Sequence, residues 1–392
     1  MQRQIYLDHN ATTPILPEVL DAMLPWLSPS GFGNPSSSYS LGKAARNAIE
    51  AARLSVATLI GASPEEIIFT SCGTESIHSA ILSALSLHPD RHRIITSSVE
   101  HSATLKLCNN LARKGYQIVR LPVDNHGLLP LNQLADSLDN ETAIVSLLWA
   151  NNETGVLFPV EEIAALCHQH DVLLHIDAVQ AIGKLPPLPL HSLPGISYLS
   201  LSGHKIHAPK GVAALYINRR SRFSPLLFGS QENSRRGGTE NVASIVAFSK
   251  AADISLQNLE STSAHIRKLR DQFEDYLLQN LDGIHINGAR NQRLPNTSNI
   301  SFEGIQAETA LLLLDKEGIY CSAGSACTSG SIAPSHVLTA MGIPPERARS
   351  SLRFSFGKAN QPDDAILAAS TLTRIIRKIR SENPSTLVIS RI

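Results

Sequence analysis

The chain has 392 residues. A single hydrophobic core rarely supports a chain of this length, so two domains are expected. Its 34 basic and 34 acidic residues give a formal net charge of zero, so no bulk electrostatic field would recruit nucleic acid or an anionic membrane. The five cysteines form no C-x-x-C pair, and no apolar run reaches the length of a membrane span. We therefore expect reduced thiols, no zinc site and a cytoplasmic location.

In the first two thirds of the chain, short apolar runs alternate with amphipathic helical stretches. A short strand near Ile5 and two helical stretches come first. Strands are then predicted at Ile67–Phe69, Arg93–Thr96, Gln117–Arg120, Ala143–Trp149, Val172–Ile176, Ile196–Leu201 and Val212–Ile217. Because strands that alternate with helices form parallel sheets, we predict a largely parallel, doubly wound sheet of these seven strands.

The pattern changes after Asn241. Long helices are predicted from 242 to 281, followed by the strands Ser298–Phe302, Ile319–Ser322 and Leu352–Phe356 and the helices Gln306–Lys316 and Pro362–Arg380. This order is typical of a smaller α+β unit. We therefore predict an α/β protein with a large domain at 15–250 and a small domain formed by 1–14 and 251–392.

Polar residues follow several predicted strands, at the sheet edge where open parallel sheets bind ligands. Lys205 follows a buried strand. Burial would lower the pKa of its amine and favour Schiff-base chemistry, although a lysine in a solvated turn is the simpler interpretation. Asp177 could pair with a pyridinium nitrogen or cap a helix. Gly73 and Thr74 open a helix and could bind a phosphate or form a plain N-terminal cap.

Further polar residues lie at neighbouring turns. His101 precedes a helix and could stack on a flat ring or shuttle protons, or it could simply be solvated. Asn152 and Gln180 could hydrogen-bond the substituents of such a ring. Thr239 follows two glycines at another predicted helix start.

Two residues near the C-terminus also indicate chemistry. Cys327 lies in the Gly/Ser-rich stretch C-S-A-G-S-A-C-T-S-G-S at 321–331, which we predict to be a mobile surface loop, so its thiol is a candidate nucleophile. Arg353 interrupts an apolar strand. A grip on a substrate carboxylate and a structural ion pair explain that buried cation equally well.

Taken in order, these motifs resemble the cysteine desulfurases of the NifS/IscS type, which are pyridoxal-phosphate enzymes of the aspartate-aminotransferase-like fold (fold type I). The resemblance runs from Tyr6 to about Gly357. It rests on Y-L-D-H-N-A-T-T-P, G-N-P-S-S, E-I-I-F-T-S-C-G-T-E-S, V-E-H, W-A-N-N-E-T-G, I-D-A-V-Q, S-G-H-K, R-R-G-G-T-E-N, S-A-G-S-A-C-T-S-G-S and L-R-F-S-F-G.

The resemblance implies a role for each of these positions. Lys205 would be the Schiff-base lysine, Cys327 the cysteine that becomes a persulfide, and His101 a catalytic residue that stacks on the cofactor ring. Arg353 and Asn152 would contact the substrate. The positions implied for pyridoxal 5′-phosphate are Gly73, Thr74, His101, Asn152, Asp177, Gln180, Ser202, His204, Lys205 and, from the other subunit of a homodimer, Thr239.

The implied function is a cytoplasmic cysteine desulfurase. It would convert L-cysteine into L-alanine and a Cys327 persulfide, and pass the sulfur to an acceptor such as a scaffold for iron–sulfur cluster assembly. No metal, nucleic acid or membrane partner is implied, apart from transient iron–sulfur ligation by Cys327 with a scaffold. The alternatives are a selenocysteine lyase or small aminotransferase on the same fold, and a non-catalytic scaffold for sulfur transfer.

Overall fold

The computed structural model describes residues 3–324 and 334–382. The strands are β1 (Ile5–Tyr6), β2 (Ile67–Thr70), β3 (Arg93–Ser97), β4 (Gln117–Leu121), β5 (Thr142–Leu148), β6 (Leu173–Asp177), β7 (Tyr198–Ser202), β8 (Ala213–Ile217), β9 (Ile284–Ile286), β10 (Thr297–Phe302), β11 (Ile319–Tyr320) and β12 (Ser351–Ser355).

The α-helices are α1 (Pro17–Met23), α2 (Ser40–Ile60), α3 (Gly73–Leu87), α4 (Ser102–Arg113), α5 (Leu131–Ser137), α6 (Val160–Gln169), α7 (Gln231–Ser234), α8 (Val242–Gln257), α9 (Leu259–Asn280), α10 (Ala307–Lys316), α11 (His336–Ala340), α12 (Pro345–Arg349) and α13 (Pro362–Glu382). Short 3-10 helices lie at Leu24–Leu27, Pro64–Glu66, Leu190–Ser192 and Gly203–Lys205. Among the described residues, no helix combines the length and apolar character needed to cross a membrane.

A sheet of seven strands organises the larger part of the chain, in the order β2-β8-β7-β6-β5-β3-β4. β8 runs antiparallel to β2 and β7, and the other neighbouring pairs are parallel. β5, β7 and β8 are buried along their whole length, as expected when helices cover both faces of a parallel sheet. The prediction of a mostly parallel seven-stranded sheet is therefore confirmed.

Hydrophobic clusters pack on both faces of this sheet. One contains Val56, Leu147 and Phe248, and another contains Ile81 and Tyr198. The helix α2 that covers the first face ends at Ile60 and is capped by Gly61, whose φ of 70° permits the left-handed turn that stops the helix.

A separate cluster belongs to the C-terminal part of the chain. It joins Ile5 of β1 to Phe273, Phe302, Phe354 and Leu372. Here β10 lies between β9 and β12 in an antiparallel sheet, and β1 pairs with β11. The helix α11 at 336–340, by contrast, packs on the cluster of the large sheet. The domain boundaries at 15–250 and 251–392 stay a prediction.

Candidate active site

A cavity of about 380 Å³ lies at the C-terminal ends of β5, β6 and β7. This is the edge at which open parallel sheets bind ligands. Most of the residues singled out in the sequence line it together: Gly73, Thr74, His101, Asn152, Asp177, Gln180, Ser202, His204, Lys205 and Arg353.

Lys205 is the last residue of the 3-10 turn Gly203–Lys205, which directly follows β7. Its Nζ donates hydrogen bonds to the carbonyl oxygens of Asn10, at 2.7 Å, and Ala11, at 2.8 Å. Both carbonyls belong to the N-terminal arm, which follows β1. The arm therefore holds the lysine amine at the wall of the cavity.

Asp177 ends β6 and is buried. Its Oδ1 accepts a hydrogen bond of 3.0 Å from the backbone N–H of Val179, so the carboxylate closes a short turn. Burial raises the pKa of this carboxyl, and the electrostatic interaction with His101, the Val179 hydrogen bond and the interaction with Lys205 act in the opposite direction. A cationic ring nitrogen beside Asp177 would stabilise the ionised carboxylate in the same way.

His101 is the N-terminal cap of α4, where its Nδ1 accepts a hydrogen bond of 3.2 Å from the backbone N–H of Ala103. An accepting Nδ1 assigns the proton of the neutral ring to Nε2. Glu100 is the residue before His101. Its Oε1 accepts hydrogen bonds from Ser97 Oγ at 2.6 Å and from the backbone N–H of Leu148 at 3.1 Å. Burial raises the pKa of Glu100 to about 8. The protonated carboxyl of Glu100 therefore joins the ends of β3 and β5 next to His101.

The helix α3 begins at Gly73, and Gly73 and Thr74 both line the cavity. A Cβ on Gly73 would lie 3.0 Å from Val179 Cγ2, so a larger residue would press on the cavity wall. His204 lies nearby, bonded through Nδ1 to Thr12 Oγ1 at 3.1 Å. Burial, followed by the charge of Lys205, lowers the pKa of His204 to about 4, so this imidazole is neutral at pH 7.

Arg353 is almost fully buried, with 1% of its side chain exposed. One Nη donates to Asp8 Oδ1 at 2.7 Å and the other to the carbonyl oxygen of Asn152 at 3.0 Å. Its Nε has no hydrogen-bond partner among the described residues. The structural ion pair considered from the sequence is therefore present, and the grip on a substrate carboxylate stays a prediction.

Thr239 and Cys327 are not placed in this cavity. Thr239 is exposed and does not line the cavity; the following helix begins at Val242, with Asn241 as its cap. Cys327 lies outside the described residues. Burial raises the pKa of the half-buried Cys321 thiol well above its usual range, which agrees with a structural rather than a nucleophilic role.

The sequence reasoning missed Asn10, Ala11 and Cys72, all of which line the cavity. Asn10 and Ala11 hold Lys205 through backbone carbonyls, and the buried side chain of Asn10 also donates to the carbonyl oxygen of Asn152 at 3.1 Å. Asn10 also binds Gln180 through its carbonyl oxygen, at 2.9 Å from Gln180 Nε2. The polar N-terminal motif Y-L-D-H-N-A-T-T-P, which contains both residues, is the sequence feature that could have indicated them.

The family model described as Aminotransferase class-V matches residues 5–366. The chain belongs to this family. It is 47% identical to the cysteine desulfurase NifS of Azotobacter vinelandii over 382 residues, 97% of this chain and 94% of that protein.

Solved structures of similar proteins have the same fold. A NifS-like protein superposes with a TM-score of 0.89 at 35% identity, covering 96% of this chain and all of the other. SspA in complex with cysteine superposes with a TM-score of 0.79 at 32% identity, covering 91% of this chain and all of the other. The predicted fold class is therefore confirmed.

Proposed function

We propose that this class-V protein is a cysteine desulfurase, which converts L-cysteine into L-alanine and a persulfide on Cys327. One observation carries the proposal: a single cavity combines the anchored amine of Lys205 with the buried carboxyl of Asp177. The 47% identity to a cysteine desulfurase over 97% of the chain supports the same reaction.

Pyridoxal 5′-phosphate is the cofactor of the class-V family, and the cavity fits it. The buried carboxyl of Asp177 suits a protonated ring nitrogen, and the N-terminus of α3 at Gly73 and Thr74 suits a phosphate. Ser202 and His204 lie on the same wall, and Asn152, Gln180 and His101 complete the lining. When bound, the cofactor withdraws electrons from the α-carbon of an amino acid.

The side chains of the cavity would transfer protons and bind the substrate. Lys205, held by two backbone carbonyls, carries a proton to and from the substrate carbon. His101, with its proton on Nε2, is a second proton carrier at the same wall. Arg353 lines the cavity and offers its guanidinium to the carboxylate of L-cysteine.

Cys327 supplies the nucleophile. Its thiolate attacks the sulfur of L-cysteine, so that a sulfur–sulfur bond forms and the carbon–sulfur bond breaks. The released electron pair and a proton remain with the carbon, which leaves L-alanine and the Cys327 persulfide. An acceptor thiol, such as one on an iron–sulfur assembly scaffold, then takes the terminal sulfur by thiol exchange.

The proposal includes a homodimer. Three large apolar side chains are exposed, with Leu27 at 63%, Phe32 at 71% and Phe228 at 83% exposure. The loop of Phe228 is bonded to the loop of Thr239, because Gly237 N donates to Leu227 O at 2.8 Å. A second copy covering Phe228 would bring Thr239 towards the cavity of its partner.

The proposal also places the protein in the cytoplasm. The described cysteines, at positions 72, 108, 167 and 321, are all free thiols. A reducing compartment keeps thiols in this state, and the reaction itself requires a reduced Cys327.

Replacement of the anchored amine tests the proposal. Lys205→Ala is expected to lose both alanine formation from L-cysteine and the visible absorbance of enzyme-bound pyridoxal phosphate. Lys210→Ala is the matched control, since Lys210 is exposed and does not line the cavity. An unchanged cofactor spectrum in Lys205→Ala would remove the basis of the assignment.

A further inference from the structure

Asn10 is buried at the wall of the cavity, and the proposed reaction gives its side chain no role. The residue is 1% exposed. Its Nδ2 donates to the carbonyl oxygen of Asn152 at 3.1 Å and to Thr297 Oγ1 at 2.9 Å, and its Oδ1 accepts from Asn296 Nδ2 at 3.0 Å. Turning the amide over would set two acceptors against each other at Asn152 and two donors against each other at Asn296. These bonds therefore select one orientation of the amide.

The backbone carbonyl of Asn10 contacts the amine side of the cavity. Its oxygen accepts hydrogen bonds from Lys205 Nζ at 2.7 Å and from Gln180 Nε2 at 2.9 Å. A carbonyl oxygen has two lone pairs, so these two donors saturate it. The position of Asn10 therefore helps to set the position of the Lys205 amine.

The side chain of Asn10 leads to the guanidinium side of the cavity. The carbonyl oxygen of Asn152 accepts from Asn10 Nδ2 and also, at 3.0 Å, from an Nη of Arg353. A continuous chain of hydrogen bonds thus runs from the Lys205 amine through Asn10 and the Asn152 carbonyl to the guanidinium of Arg353. Asn10 is the middle of this chain.

The C-terminal antiparallel sheet holds Asn10 in place. Thr297 is the first residue of β10, and Asn296 precedes it. The backbone N–H of Asn10 donates to Ser355 Oγ of β12 at 2.9 Å. Thr297 and Ser355 lie opposite each other in the register of β10 and β12, and both are fully buried. The sheet that carries Arg353 therefore fixes Asn10, whose carbonyl in turn holds a lysine from the turn after β7.

We infer that Asn10 is a positioning residue that fixes the spacing between the Lys205 amine and the Arg353 guanidinium, and so selects molecules with an amine and a carboxylate on one carbon. The inference rests on the proposed function, because it takes the cavity as the binding site of an α-amino acid. The amine and carboxylate of such a molecule are a short, fixed distance apart. Protein groups that are already held at the matching distance lose little freedom when they bind both ends.

The test compares two probes that differ by one carboxyl group. L-Alanine carries an amine and a carboxylate, and ethylamine is the same molecule with hydrogen in place of the carboxyl group. Cofactor-loaded protein is titrated with each probe, and binding is followed by the visible absorbance of enzyme-bound pyridoxal phosphate. The dissociation constants of the two probes then separate a loss of carboxylate recognition from a general loss of binding.

Two variants and one control are compared with the parent. Asn10→Ala removes the amide but keeps the backbone carbonyl. Thr297→Val removes one hydrogen-bond partner of the amide, and Thr297 is not among the described residues that line the cavity. The control is Asn287→Ala, since Asn287 is also buried, at 2% exposure, but donates through Nδ2 to Asn299 and Ser301.

Asn10→Ala should raise the dissociation constant of L-alanine by about tenfold and that of ethylamine by less than about twofold, because only L-alanine uses both ends of the hydrogen-bond chain. Thr297→Val should raise the L-alanine constant by about threefold and leave ethylamine unchanged. Asn287→Ala should leave both constants within about twofold of the parent, because its bonds lie apart from the chain.

An equal loss of both probes in Asn10→Ala would overturn the inference, as would parent-like binding of L-alanine. A loss in Asn10→Ala without any loss in Thr297→Val would also overturn it, because Asn10 would then contact the ligand directly. If Asn10→Ala does not fold, Thr297→Val decides the question. L-Alanine has no sulfur to transfer, so failure of the proposed reaction, seen as no sulfide from L-cysteine, is distinct from failure of this inference.

Discussion

The sequence left two roles open for Arg353, a structural ion pair and a contact with the substrate carboxylate. Its guanidinium is bonded to Asp8 and to the carbonyl of Asn152, yet its Nε has no partner among the described residues and the side chain lines the cavity. Two substitutions separate the structural role from the substrate role. Asp8→Asn removes the ion pair but leaves the guanidinium. Arg353→Lys keeps the charge but loses the planar fork.

Both variants should be less stable. Asp8→Asn leaves the buried guanidinium of Arg353 without its anionic partner. Because Asp8 is 16% exposed, water would replace part of the lost ion-pair interaction. We expect its free energy of unfolding to fall by about 2 kcal/mol. Arg353→Lys gives up the guanidinium hydrogen bonds to Asp8 and Asn152 and should lose about 2–4 kcal/mol. Urea unfolding followed by circular dichroism measures both changes.

The kinetics should differ between them. A charge-assisted hydrogen bond to the carboxylate of L-cysteine is worth about 1.5–3 kcal/mol, so Arg353→Lys should raise KM by about tenfold to a hundredfold. Asp8→Asn should change KM by less than about threefold, since Arg353 remains. Initial rates of alanine formation over a range of L-cysteine concentrations give these values. Equal KM values in the two variants would refute the substrate role and leave Arg353 purely structural.

Two further predictions concern Glu100 and the exposed apolar surface. Burial raises the pKa of Glu100 from 4.5 to about 8, so the folded state holds a proton that the unfolded state releases, and stability falls as pH rises from about 4.5 to 8. Glu100→Gln should therefore stabilise the protein more at pH 9 than at pH 5 in urea unfolding; equal effects at both pH values would contradict the raised pKa. Phe228→Glu should shift the protein from dimer to monomer in sedimentation velocity, whereas Leu312→Glu, at an apolar side chain that is 66% exposed on α10, should not. A Phe228→Glu protein that sediments like the parent would count against the proposed interface.

The sheet could be predicted because its signals are local. Each apolar run in the first two thirds of the chain became a strand within one or two residues of the predicted bounds, for example Arg93–Ser97 and Tyr198–Ser202. The polar residues after these strands meet in one cavity because parallel strands end at the same edge. The burial of Arg353 followed from the apolar residues on either side of it.

The long-range contacts could not be predicted in the same way. Lys205 is held by the carbonyls of Asn10 and Ala11, which lie 195 and 194 residues away, and a contact to a backbone carbonyl leaves no residue-specific pattern in the sequence. Asp8 and Arg353 are separated by 345 residues, and the local sequence around either residue does not identify the other as its partner. The antiparallel direction of β8 also depends on tertiary packing, because a buried strand has the same apolar pattern in either direction. Cys327 was identified through its motif, and its role stays a prediction.

Alanine and sulfide release from L-cysteine, in the presence of a thiol reductant, tests the central claim most directly. The parent protein should be compared with Cys327→Ala and with Cys72→Ala, whose exposed thiol lines the cavity and serves as the matched control. A cysteine desulfurase should release alanine and sulfide together from the parent and from Cys72→Ala, and neither from Cys327→Ala. Equal alanine from Cys327→Ala would show that the thiol is not the nucleophile and would contradict the proposed function.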